Sequence, residues 1–464
     1  MTSRWSTPWS TGWSTSSLAR RAAVVGGLYV ALVLGAYRAS IQAPGHRVLP
    51  YLAVHFTATA VMLGAWAWLR RAPRGDDHAR AVASLVGFGV VARFALATAA
   101  PFTTTDVERY LWDGAVALHG QDPYVLAPDA PALAGLRAVF PVPLDHMNVA
   151  TCYPPLAVGL FALAAVWGGA RALTVWKLLV ACASSAVALA SWRHLREGDR
   201  AADTVLVALS PLLVLESGVG GHLDAFGALA VVAAVASAER GRWDRAALAV
   251  GIAGAVKFVP GMVAVPLVLR APARVRFTLL AALPLALSMA TARGLGMTPP
   301  GTLGTVALNW SFAAPLWSAL YHFFPEGDGV IRASLAAAAL LGWLVLGLRR
   351  RSLARNARDA FAWGLVVSPV LYPWYGMPLA ALTAFAPAGW VLALLTALPV
   401  SYEVIDGYQA TGRWHPHTWP MVTITAVGAL GLLVDGLWRL RSPRPARDAT
   451  ARDATARDVT KGGA

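Results

Sequence analysis

The run Thr103-Thr-Thr-Asp-Val-Glu-Arg-Tyr-Leu-Trp-Asp-Gly114 sets one carboxylate, Asp106, just past an apolar stretch that ends near Ala100. Tyr110, Trp112, Asp113 and Tyr124 follow soon after. A carboxylate in this position can accept a proton from a hydroxyl, or it can cap the helical pattern that follows; the two roles do not exclude each other. Lysine is confined to Lys177, Lys257 and Lys461, against many arginines. The first two fall within apolar segments, where a compact cation suits a phosphate. Arg93, inside a further apolar run, is a third candidate cation. His222 and Asp224 share a Gly-rich break, and Tyr372, Trp374 and Tyr375 cluster in Ser368-Pro-Val-Leu-Tyr-Pro-Trp-Tyr375. Each also has a plainer reading. Lys257 can snorkel, His222 and Asp224 can satisfy each other, and the three rings can form an interfacial belt. His415 and His417 have no Cys or acidic partner at metal spacing and read as loop residues. Cys152 and Cys182 give no disulfide framework and no metal pattern.

The elements that position these residues are membrane helices. The chain has 464 residues, is 57% hydrophobic and 14% charged, and has a mean hydropathy of +0.55. Many apolar runs approach the roughly 20 residues that cross a hydrocarbon core, where only a helix satisfies its own backbone. The 19 tryptophans suit two membrane interfaces. The net charge of +15 resides in arginines of short loops, the orienting charge of a membrane protein and not a nucleic-acid surface. The expected fold is an all-α polytopic transmembrane bundle of about twelve to fourteen helices, with an interfacial helix in a long loop over 101–153. The expected organisation is a cytoplasmic segment 1–21, a membrane domain 22–438 and a disordered low-complexity tail 439–464.

Placing the basic loops in the cytoplasm puts Asp106, His222, Asp224, Lys257, the Ser368–Tyr375 run and a loop over 403–417 on the non-cytoplasmic face. The stretch 154–192 is ambiguous. It has room for two helices, yet the basic run Arg193–Arg200 asks for an odd number of crossings, so one helix is short or the charge rule fails there.

With these motifs in place, the chain resembles the GT-C superfamily of integral-membrane glycosyltransferases, and within it the GT87/DUF2029 and PIG-M-like mannosyltransferases. The resemblance is carried by Asp106-Val-Glu-Arg-Tyr-Leu-Trp-Asp-Gly114, Asp122-Pro-Tyr124, Tyr153-Pro-Pro155, Gly221-His-Leu-Asp-Ala225, Lys257-Phe-Val-Pro260 and Ser368–Tyr375. It implies a polyprenyl-phosphate sugar donor, usually mannose, used by inverting displacement at the outer face of a cell membrane, with Asp106 as base. The donor phosphate then falls to Arg93, Lys257 and Lys177. Arg109, Tyr110, Trp112, Asp113, Tyr124, Tyr153, His222, Asp224, Tyr372, Trp374 and Tyr375 are the expected substrate contacts. The acceptor is a lipid or glycan, no cofactor or divalent metal is required, and a monomer is expected. Relatives often carry histidines where this chain has Trp374 and Tyr375, and two spans precede the one leading to Asp106 where many relatives have one. The alternatives are a lipid-linked sugar flippase, which would favour matched halves and midplane charges, and a polysaccharide polymerase.

Overall fold

The computed structural model describes residues 17–140, 142–143 and 145–441. Among them the ordered elements are helices, apart from one isolated bridge between Phe312 and Val370. The protein is a polytopic helical bundle. Among the described residues eight helices are long and apolar enough to cross a membrane: Leu18–Ser40, Val48–Arg71, Asp76–Thr98, Arg171–Leu195, Arg274–Gly294, Pro325–Leu348, Gly389–Thr411 and Trp419–Leu437. A ninth forms if Ala201–Ala208 and Pro211–Gly220, bent by 46°, are one broken span. The first helix opens at Leu18, inside the segment expected to be a cytoplasmic terminus, and the last runs to Arg441. The rest of both terminal segments lies outside the described residues.

The other expected crossings are shorter helices: Asp224–Glu239, Trp243–Val256 and Leu353–Val366, of 16, 14 and 14 residues. At 1.5 Å per residue these reach only about 21–24 Å, short of a hydrocarbon core of about 30 Å. They are largely buried by their neighbours, so a polar residue at an end, such as Asp224, can sit inside protein instead of lipid.

The ambiguous stretch resolves into one short helix and one long one. Pro155–Ala165 has 11 residues and rises about 16 Å. Gly168 and Gly169, both at positive φ, turn the chain, and Gly169–Leu195 then runs 27 residues to bring His194 against Glu239. A single full-length helix therefore satisfies the charge pattern.

The basic loops meet at one end of the bundle. There Arg200 and Arg70 pair with Asp203, Arg240 with Glu197, Arg276 with Asp244 and Arg351 with Asp359. The opposite end carries Asp106.

One expected loop is a helix. Tyr402–Thr411, placed in a loop over 403–417, continues the span that begins at Gly389. Its Tyr402, Val404 and Ile405 are buried. The carboxylate of Asp406 accepts backbone N–H bonds from Gly45, Arg47 and Val48 at 2.8, 3.0 and 3.2 Å, fixing the start of the Val48 helix.

Candidate functional site

Asp106 is the first residue of the helix Asp106–Leu118. The pattern that predicts this helix also predicts its buried face: Tyr110, Leu111 and Ala115 are covered, whereas Leu118 is exposed. The helix lies directly on Pro155–Ala165. A Cβ at Gly114 would stand 2.4 Å from the carbonyl carbon of Phe161, so only glycine permits this approach. The contact stacks Tyr110 on Phe161 at 4.6 Å, with Tyr153 and Trp176 edge-on to Tyr110.

The carboxylate of Asp106 does not cap its own helix. Its backbone N–H donates to Thr104 Oγ1 at 3.0 Å, and its Oδ2 accepts from the Tyr110 hydroxyl at 3.1 Å. The side chain remains 29% exposed. Burial raises the Asp106 carboxyl above the usual carboxylate range, and the charge of Lys257 with the hydroxyls of Tyr110 and Thr104 partly offsets this. That direction suits a group that must hold a proton taken from a substrate.

Behind Asp106 lies a second carboxylate. Glu216 is fully buried and accepts from the Tyr51 hydroxyl at 2.9 Å and the Tyr402 hydroxyl at 2.7 Å. It opens a π-helical turn, Glu216–Gly220, the kind of local irregularity frequent at functional sites. His222, also fully buried, sits between the two acids, with Nε2 3.4 Å from Glu216 Oε2 and Nδ1 3.9 Å from Asp106 Oδ2. Neither ring nitrogen has a hydrogen-bond partner. The imidazole is held in place by stacking on Trp374 at 4.0 Å.

Lys257 completes the group. Its Nζ donates to Asp224 Oδ2 at 2.7 Å and lies 4.4 Å from the centre of the Tyr375 ring. The helix Trp243–Val256 ends at this lysine. The chain then reverses closely enough to set the Cα of Gly254 3.3 Å from where a Cβ on Gly261 would lie. The plainer reading, in which His222 and Asp224 satisfy each other, does not hold: Asp224 pairs with Lys257, and His222 lies beside the two acids.

The structure therefore brings Asp106, Tyr110, Tyr153, His222, Asp224, Lys257, Tyr372, Trp374 and Tyr375 to one place. It does not bring the other two cations there. Arg93 is fully buried, and its guanidinium donates to Ser184 Oγ, Gly89 O, Ala208 O and Val207 O at 2.7–2.9 Å. Two of these carbonyls lie at the bend of the broken span, so Arg93 fastens that bend instead of reaching a phosphate. Lys177 is spent on the carbonyls of Ala99 and Leu96. Trp112 faces away, into a separate apolar cluster with Leu133 and Phe140. Arg109 pairs with Asp113 at 2.9 Å and donates to the Val149 carbonyl at 2.6 Å, tying the helix to the loop that covers it. Burial raises the Asp113 carboxyl, and Arg109 holds it partly down. Tyr124 is buried close to Gly301, while neighbouring Asp122 binds Thr298.

Sequence reasoning missed Glu216, Tyr51, Tyr402 and Arg47. Arg47 stands over the ring of Phe102, which packs edge-on against Tyr51, and its guanidinium donates to the Gln42 carbonyl at 2.8 Å and to Gln409 Oε1 at 3.1 Å. Only Glu216 gave a signal, as an acid at the end of an apolar run before a Gly-rich break. Among the described residues no group of three or more His, Cys, Asp or Glu is arranged to hold a metal ion.

The fold is one of membrane helices that gathers an acid, a lysine and stacked rings at one end. Residues 11–274 match the family described as alpha-(1->6)-mannopyranosyltransferase, N-terminal domain. The match covers more than half of the chain, and the chain belongs to this family of mannosyltransferases. The curated proteins and the solved structures gave no match.

Proposed function

We propose that this protein transfers mannose from a polyprenyl-phosphate donor to a hydroxyl of a lipid or glycan acceptor, forming an α-(1→6) linkage at the non-cytoplasmic face of the cell membrane. The observation that carries the reading is the partly exposed Asp106 carboxylate beside Lys257 in a chain of the mannosyltransferase family. The motif likeness to the GT87 and PIG-M-like enzymes supports the donor, and the gathering of arginines at the opposite end of the bundle supports the orientation.

The acceptor oxygen attacks the anomeric carbon as Asp106 takes its proton. The bond from that carbon to the phosphate oxygen breaks on the opposite face, and the polyprenyl phosphate leaves as an anion. One displacement inverts the centre, so an α product requires a β-linked donor. The Tyr110 hydroxyl holds Asp106 through Oδ2, leaving Oδ1 for the acceptor. His222, stacked on Trp374, stands between Asp106 and the buried Glu216. Lys257 faces the departing phosphate. A monophosphate leaving group carries less charge than a nucleotide diphosphate, so the reaction as drawn needs no divalent metal.

The test is purified protein in nanodiscs with polyprenyl-phosphate mannose and octyl α-mannopyranoside. The reading predicts an α-(1→6)-linked mannobioside and a stoichiometric polyprenyl phosphate. Movement of intact donor across the bilayer without any new glycoside would overturn it.

A further inference from the structure

Thr105 is the N-cap of the Asp106 helix, yet its hydroxyl makes no capping bond to that helix. A threonine in this place ordinarily accepts from a first-turn N–H. Here the hydroxyl instead donates to Asp145 Oδ2 at 2.9 Å. The other oxygen of the same side chain, Oδ1, accepts from the Tyr408 hydroxyl at 3.1 Å. Tyr408 lies on the helix Tyr402–Thr411, which is itself anchored twice: Tyr402 donates to the buried Glu216, and Asp406 accepts from the start of the Val48 helix. Asp145 thus joins a fixed helix to the residue before Asp106. The segment that follows it runs along the first turn of the Asp106 helix. Arg109 donates to the His146 carbonyl at 3.4 Å and the Val149 carbonyl at 2.6 Å, and the His146 ring meets Trp310 at 4.8 Å. His146 holds a left-handed conformation, φ 56°, which costs a non-glycine residue energy and persists where the surroundings impose it. The reaction drawn above assigns nothing to Asp145.

We infer that Asp145 is a positioning residue for the transfer, which through Thr105 holds Asp106 where its carboxylate meets the acceptor hydroxyl; the inference rests on the functional reading above. The Tyr110 hydroxyl that holds the Asp106 carboxylate comes from the same helix, so it fixes the acid against the helix but not the helix against the bundle. The helix packs on Pro155–Ala165 through Tyr110 and Gly114, about one and two turns beyond the acid. The polar links that locate its first turn are those to Asp145 and to the segment after it. Both oxygens of Asp145 act as acceptors, the role a carboxylate suits. A charge on His146 lowers the Asp106 carboxyl, which puts the held segment within electrostatic reach of the acid. A base must lie within hydrogen-bond reach of its proton, so a displacement of about 1 Å at this turn costs up to about a hundredfold in rate.

The experiment measures transfer from polyprenyl-phosphate mannose to octyl α-mannopyranoside in nanodiscs, per folded molecule, for Asp145→Ala, Asp145→Asn, Thr105→Val, Tyr408→Phe and the double variant Thr105→Val/Asp145→Ala. Asp145→Ala should lower kcat about ten- to a hundredfold and leave the donor KM near the wild-type value. Asp145→Asn can still accept from Thr105 and meet the Tyr408 hydroxyl, and should recover most of that loss. Thr105→Val severs the same link, so the double variant should be no slower than Asp145→Ala alone. Thr105→Val and Tyr408→Phe each remove one hydroxyl at similar volume and should lower kcat in the same direction, which keeps the link testable if Asp145→Ala fails to fold. Unchanged kcat in these variants would make Asp145 a structural residue and overturn the inference, leaving the functional reading standing. Losses that multiply in the double variant would also overturn it, by separating the two residues. An Asp145→Asn variant as slow as Asp145→Ala would overturn it by assigning the effect to charge. Absence of any transfer by the wild-type protein would overturn the functional reading, and this inference with it.

Discussion

The proposed reaction adds a second role to Lys257, cation for a phosphate, beside its pairing with Asp224, and variants can divide the two. Asp224 is fully buried and Lys257 is 11% exposed, so the 2.7 Å pair is shielded from solvent. Replacing Lys257 by Met keeps the stem of the side chain but leaves Asp224 buried without its cation. Removing one partner of a buried pair costs about 3–5 kcal/mol. The double variant Asp224→Asn/Lys257→Met removes both charges at similar volume and should recover most of that loss. Transfer should not recover, because the leaving phosphate has still lost a preorganised cation, an effect of about 10²–10³ in rate. Thermal unfolding in detergent reads the first quantity, and mannosyl transfer per folded molecule reads the second. A double variant that regains both stability and rate would refute the reasoning and make Lys257 a structural residue only.

The remaining predictions concern the same end of the protein and its supports. Asp106 must be ionised to act as base, and burial raises its carboxyl. The rate should therefore fall with decreasing pH through a limb that lies above the ordinary carboxylate value of about 4. Lys257 holds that carboxyl down, so Lys257→Met should move the limb to still higher pH, as a kcat/KM profile would show. Arg93→Met should lower the unfolding temperature, since it strands buried carbonyls at about 1–3 kcal/mol each, yet preserve the rate per folded molecule. Treatment with EDTA should leave the rate unchanged; a loss restored by Mg²⁺ or Mn²⁺ would contradict the metal-free reaction.

The membrane helices and the place of Asp106 at the start of a helix beyond an apolar span are legible in the sequence, because apolar length and isolated charge are local signals. The partners of the charges are not. His222 and Asp224, two residues apart, look like a pair, but at that spacing on a turn leading into a helix they point to different neighbours. Lys257 reaches Asp224 only because two short helices form a hairpin. Arg93 and Lys177 look like spare cations in apolar runs; in the fold, broken helices expose backbone carbonyls inside the bundle, and these claim both side chains. Tyr51 and Tyr402 resemble any other aromatic in a membrane span, and their shared contact with Glu216 joins residues 351 positions apart, beyond any spacing rule. The helix Tyr402–Thr411 was obscured by Glu403 and Asp406, which read as loop residues until their partners, His417 and the start of the Val48 helix, are seen.

The most direct test is Asp106→Asn in nanodiscs, assayed for mannosyl transfer alongside binding of polyprenyl-phosphate mannose. Asparagine keeps the size of the side chain and can still meet the Tyr110 hydroxyl, but it cannot take the acceptor's proton. The proposed reaction predicts that transfer falls by about 10²–10⁴ while the protein unfolds at a similar temperature and still binds donor. Transfer near the wild-type rate would contradict the assignment of Asp106 as the base.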